Sequence, residues 1–186
     1  MNIGHTLFSP NGRSTQNEYW LGVLIVVLGN VFLAPLPVIG AIFWIGLIYV
    51  GAVVSAKRLH DAGKTGWIHL IPWVISLSLM GFGVVAAGGA ALVPFLDMIG
   101  TPGGWEMLES GDLSPKATAQ LVSGGLLAAG GLLLFWSLSA LTWVVYTIWV
   151  GVLSSDQDDN VYGPAPRQTV YAQAATRSAG APPTEG

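Results

Sequence analysis

Apolar positions fall in long unbroken runs, without the alternation of a half-buried strand, and the stretches 19–56, 65–96 and 117–155 contain no Asp, Glu, Lys or Arg. A helix needs about 20 apolar residues to cross a hydrocarbon layer, so each run is of membrane length. The first is too long for one helix. Pro35-Leu36-Pro37 divides it, because proline lacks a backbone donor and disfavours helix in the residue before it. The pattern therefore predicts an all-α integral membrane protein with four transmembrane helices in two hairpins and both termini cytoplasmic. The expected spans are 19–35, 37–56, 67–96 and 122–153.

Between them, the outer loop 97–119 is rich in Gly, Pro and acids and reads as exposed. Residues 1–18 read as a cytoplasmic N-terminal segment, 19–160 as the four-helix membrane domain, and 161–186 as a flexible cytoplasmic tail whose Ala, Pro, Thr, Gln and Gly cannot bury enough apolar area to order themselves. Ala86/Ala90 and Ala87/Ala91 have the spacing that lets neighbouring helices approach closely. The same stretch, with Gly88-Gly89, reads equally well as a break in an over-long helix.

Composition supports the membrane reading: 52% of residues are hydrophobic and 9% charged, against about 25% charged in an average soluble domain. With no cysteine, disulfides, thiolate metal ligands and a cysteine nucleophile are excluded. A net charge of −3 supplies no basic field for nucleic acid. The N-terminus lacks a signal peptide's layout, so the first span is expected to stay attached. On the four-span arrangement Arg13, Lys57, Arg58, Lys64, Arg167 and Arg177 share one side and Lys116 takes the other, which favours cytoplasmic termini by the positive-inside rule. Trp20, Trp67 and Trp149 are the expected interfacial anchors.

Three polar segments thereby converge on one membrane face: NGRSTQNEYW, KRLHDAGKTGW and DQDDNVYGPAP. Gly63-Lys64-Thr65 hints at a phosphate loop, yet Arg58 stands where the first glycine of that motif belongs, and both flanks are apolar runs. Lys57 and Arg58 complement the negative end of a helix dipole and could reach lipid phosphates. Arg58 and Lys64 are candidate anion contacts, with Asp61 and Glu18 as positioners; Glu18 also suits the positive start of a helix and could pair with Arg58 or Arg13. His60-Asp61 has the composition of an acid–base pair, but adjacent side chains seldom meet, and Asp61 pairing with Arg58 or capping the loop is the favoured expectation. Asn160 and Tyr162, with Gly163 and Pro164, read as a turn at the interface. Asp156, Asp158 and Asp159 lack the spacing of a calcium loop, the three histidines lack metal-ligand spacing, and His69 reads as interfacial. No cofactor or metal is expected.

GRSTQNEYW, RLHDAGKTGW and NVYGPAP, in that order, resemble the signatures of the small bacterial inner-membrane proteins grouped as domain-of-unknown-function family 805, over about residues 7–166. The matching positions are Gly12, Arg13, Glu18 and Trp20, then Arg58, Leu59, His60, Asp61, Gly63, Gly66 and Trp67, then Asn160, Tyr162, Gly163 and Pro164. The resemblance implies a four-helix, multi-pass protein of the bacterial inner membrane and assigns none of these residues a role. The long Gly/Pro/acidic loop near 101–114 and the extended fourth apolar run depart from the family pattern.

The functional expectation is a non-enzymatic membrane protein whose cytoplasmic cluster of Arg13, Glu18, Arg58, His60, Asp61, Lys64, Asn160 and Tyr162 engages lipid head groups or a protein partner, a second copy of the chain included. The alternatives are a small enzyme acting on a lipid-linked substrate with His60 or Asp61 as base, and, behind it, a transporter. Transport is weakened because the deep polar residues are mainly Ser, Thr and Asn30.

Overall fold

A computed structural model describes residues 7–166. Among these it contains helices and no strand: α1 Gln16–Phe32, α2 Ile39–Asp61, a 3-10 turn Gly66–His69 leading into α3 Leu70–Ile99, α4 Gly104–Ser110, and α5 Pro115–Val152. Among the described residues, which are all-helical, three helices, Ile39–Asp61, Gly66–Ile99 and Pro115–Val152, are long and apolar enough to cross a membrane, as in a multi-pass membrane protein. The remaining long helix, α1, has 17 residues, about 25 Å at 1.5 Å per residue. Most of the expected tail 161–186, with Arg167 and Arg177, lies outside the described residues, as does the start of the segment 1–18.

Local chemistry sets the helix ends. Thr15 caps α1 through a reciprocal pair: its hydroxyl accepts from Glu18 N (3.3 Å), and the Glu18 carboxylate accepts from Thr15 N (3.0 Å). Leu33 to Val38 form the expected proline turn, where Gly40 N donates to Leu36 O (2.9 Å) and the missing Gly40 side chain leaves room for Ala34 O. Val38 takes φ +63°, a conformation that β-branched residues rarely adopt. In the region read as an exposed loop the chain forms α4 and then starts α5 at Pro115, ahead of the expected 122. Ser114 Oγ accepts from Ala117 N (3.2 Å), and Pro115 occupies the first helical position, where its missing donor has no consequence. Helix α3 runs without interruption through Gly88-Gly89 and past Pro94.

The chain divides into two compact units, Met1–Ile71 with Tyr146–Gly186, and Pro72–Val145. In the first, α1 and α2 run antiparallel at close range: a Cβ on Gly22 would stand 2.7 Å from Val54, and one on Gly29 would stand 2.6 Å from Leu47. Tyr19 O–H donates to Thr147 O (2.9 Å), Gln16 donates to Gly151 O (2.9 Å), and Gly151 leaves space for the Trp20 indole. His69, expected at the interface, is buried and bonds through Nδ1 to the Tyr146 hydroxyl at 2.9 Å. In the second unit Gly83 packs on Phe135, Gly124 lies against Ala90 O and Pro94, and Trp73 meets Trp143 edge to face with centroids 5.1 Å apart. Gly124 against Ala90 is small-residue contact of the kind the Ala/Gly stretch offered.

The α1–α2 seam depends on absent side chains. Gly22→Leu is expected to destabilise the protein by about 1–3 kcal/mol through overpacking, read as a lowered thermal-unfolding midpoint in detergent. Gly46→Ala, which meets open space, should leave the midpoint close to that of the parent chain.

Candidate functional site

The last turn of α2 holds Lys57, Arg58, Leu59 and Asp61, all at 2% exposure or less. Burying charge there is tolerable only if each charge is met, because an ion taken out of water loses several kcal/mol of hydration. Asp61 is met twice. Arg13 Nε lies 3.1 Å from Oδ1, and Arg58 Nη1 lies 2.5 Å from Oδ2; both guanidinium side chains are 1% exposed and the carboxylate 0%. Arg58 approaches from the same helix, three residues earlier, as expected from the sequence.

Most of the other guanidinium bonds go to the chain after α5, while Arg58 Nε is buried with no partner among the described residues. Arg58 donates to Ser155 Oγ (3.0 Å) and to Leu153 O. Arg13 donates to Asp158 O (2.6 Å), to Asp156 O and to Asp61 O (3.3 Å). Two planar five-donor forks thus gather the carbonyls beyond the end of α5, a task for which the three-donor point charge of lysine is poorly shaped. Cations at a helix C-terminus also oppose its partial negative charge. Backbone bonds reinforce the junction: Asp156 N donates to Asp61 O (2.7 Å) and Ser14 N to Lys57 O (3.3 Å).

Around this core the other motif residues form a clasp. Asn160 Nδ2 donates to His60 O (3.0 Å), its Oδ1 accepts from Tyr162 N (3.0 Å), and Asn160 and Gly163 exchange backbone bonds in a tight turn. Gly163, at φ +131°, permits that turn. The turn sets the Tyr162 ring flat on His60, with centroids 3.9 Å apart and planes 4° from parallel. His60 Nδ1 faces Gly12 O at 3.3 Å, and Gly66 packs within 3.2 Å of His60 Nε2 as measured from an ideal Cβ.

The structure therefore brings Arg13, Arg58, His60, Asp61, Asn160 and Tyr162 together and gives the other residues different work. Glu18 caps α1 and meets neither arginine. Lys57 and Arg58, expected to reach outward to phosphate, are buried. Lys64 is half-exposed and its ammonium pairs with none of the described residues. Trp67 projects outward at 76% exposure, while Trp20 and Trp149 are about half as exposed. The roles of Ser155 and of the Leu153 and Asp156 carbonyls had no sequence signal, since main-chain acceptors look alike in any sequence. The Glu18 cap did have one, the Thr-x-x-Glu spacing of 15–18.

Asp61→Asn is expected to cost about 3–5 kcal/mol, because it leaves two buried guanidinium groups without their counter-charge. Unfolding in detergent should show that loss together with faster proteolytic cutting after residue 153. Lys64→Ala should change neither. A small effect of Asp61→Asn would mean that the carbonyls alone hold the arginines.

Comparison with known proteins adds a family and no activity. No curated protein and no solved structure matches the chain. A family model does match residues 7–164, which take in the first two polar segments, the third as far as Pro164, and the helices between them. The chain belongs to the family described as protein of unknown function DUF805.

Proposed function

We propose that this chain is a non-enzymatic, four-span protein of the bacterial inner membrane with both termini in the cytoplasm, and that its cytoplasmic face engages anionic lipid head groups through Lys64 and Trp67. The fourth span is α1. Its contacts at Gly22 with Val54 and at Gly29 with Leu47 carry it along α2 for two turns, and α2 is itself of spanning length. The distribution of basic residues supports the orientation: Arg13, Lys57, Arg58 and Lys64 flank the same ends of α1, α2 and the 3-10 turn, with Lys116 at the start of α5.

The observation that carries the lipid reading is the division of labour among the cations. Arg13 and Arg58 are consumed inside the cluster, which leaves Lys64 free three residues from the outward Trp67. An indole at the head-group level near an unpaired cation suits a membrane surface bearing negative phosphates. Burial of Asp61 beneath two guanidinium groups, and of the His60 ring face beneath Tyr162, supports a structural role for the pair that an enzyme would need as its base.

Because the chain has no cysteine, single cysteines at Ser14, Thr65, Ser110 and Tyr162 can be probed with an impermeant thiol reagent. Only Ser110→Cys is expected to react in intact cells; reaction at Thr65→Cys would overturn the topology. In native mass spectrometry, Lys64→Ala is expected to reduce phosphatidylglycerol retention about fivefold, since one surface cation contributes about 1 kcal/mol. Unchanged retention in Lys64→Ala, Trp67→Ala and their combination would sink the lipid reading, and loss of a co-purifying protein in those variants would put a protein partner in its place.

A further inference from the structure

In the unit Pro72–Val145, the end of α3, α4 and the start of α5 enclose an open cavity of about 300 Å³, with Asp97 and Lys116 both in its wall. Both are exposed; they form no ion pair with each other, and neither side chain bonds to any other described residue. Each also sits at the helix end where its own charge is disfavoured. Asp97 lies in the last turn of α3, which carries the partial negative charge of its free carbonyls, and no basic residue in that turn offsets it. Lys116 lies in the first turn of α5, among unpaired N–H groups, and no acid in that turn offsets it. Side chain and helix end therefore reinforce each other, giving the cavity one negative and one positive pole.

The rest of the wall fits a small ligand spanning the poles. Gln120 follows Lys116 by one helical turn and presents an uncommitted amide, while Met98 and Met107 add apolar surface to the wall. Thr101 is already occupied, its hydroxyl donating to Met98 O at 2.7 Å. The cavity exists because α4 starts hard against the end of α3, where a side chain on the buried Gly104 would run into Met98 O.

We infer that this cavity binds a small zwitterion, with a primary ammonium at Asp97 and a phosphate or carboxylate at Lys116 and Gln120. Phosphoethanolamine has that chemistry, both as a free solute and as a lipid head group. The inference requires neither the four-span count nor the Lys64 site, so Gly46→Ala, which meets open space outside both sites, serves as a control that should bind normally.

Delipidated protein in non-ionic detergent would be titrated with O-phosphoethanolamine and, separately, with glycerol phosphate and ethanolamine, which each carry one of the two charges; binding would be read by saturation-transfer NMR. Saturable binding of O-phosphoethanolamine is expected, weakened roughly tenfold or more by each of Asp97→Asn and Lys116→Gln, with both single-charge probes binding far less. Native mass spectrometry of the Lys64→Ala, Trp67→Ala protein reloaded with phosphatidylethanolamine or phosphatidylglycerol separates the sources: a preference for the former that Asp97→Asn and Lys116→Gln each abolish identifies the lipid head group, and no preference identifies a free solute. Glycerol phosphate binding as well as O-phosphoethanolamine, no binding of either, or binding indifferent to both variants would overturn the inference. Thermal unfolding guards against a structural explanation. Removing charges that oppose their helix ends should leave the midpoint unchanged or raised, and lost binding with a lowered midpoint would also overturn it.

Discussion

One carboxylate, that of Asp61, holds the first unit together. It is fully buried and sits at the C-terminal end of α2, where both desolvation and the helix dipole act against a negative charge. It persists because Arg13 and Arg58 each take one of its oxygens. The arginines in turn carry charge that Asp61 alone cannot balance, and the surplus is met by main-chain carbonyls at 153, 156 and 158. Each element thus supplies what another lacks: the segment before α1 brings a cation, α2 brings a cation and an anion, and the chain after α5 brings acceptors. The His60–Tyr162 stack and the Asn160 turn are built on the chain path that this exchange fixes.

That arrangement explains which parts of the structure were legible in the sequence. Apolar run length and the 35–37 turn were readable because lipid imposes its constraint on every residue of a span. Arg58 with Asp61 was readable because helical spacing fixes it. Arg13 with Asp61 was not, since 48 residues separate them and only the completed fold brings them together. The His60–Asp61 adjacency invited an acid–base reading, but consecutive helical residues diverge, so Asp61 turns inward to the arginines and His60 toward Tyr162. At 97–119, the abundance of Gly, Pro and acid masked a Ser-Pro helix start that the sequence did contain.

The structure also changes which residues can act at a surface. The sequence places six cations near one membrane face, four of them among the described residues, without indicating which are spent internally. Arg58 has the fork best suited to a phosphate, yet its geometry is the reason it is consumed by a carboxylate and two further oxygens. Lys64, chemically the plainer group, stays half-exposed and pairs with none of the described residues. Availability, and not intrinsic strength, decides which cation can meet a ligand.

Helix-end electrostatics separates the two units by the same logic. In the first, Glu18 lies at the N-terminus of α1, Arg58 and His60 lie at the C-terminus of α2, and the one acid in an unfavourable place, Asp61, has two cations on it. In the second, Asp97 and Lys116 occupy the reverse positions and have no partner among the described residues. A shortage of counter-ions does not explain the difference, because each of these two residues is the counter-ion the other lacks and both border one cavity. Direct pairing would relieve both. Both are exposed on the wall of a space large enough for a small molecule, so a ligand carrying both charges gains from the two residues at once, while a ligand carrying one charge gains from one only.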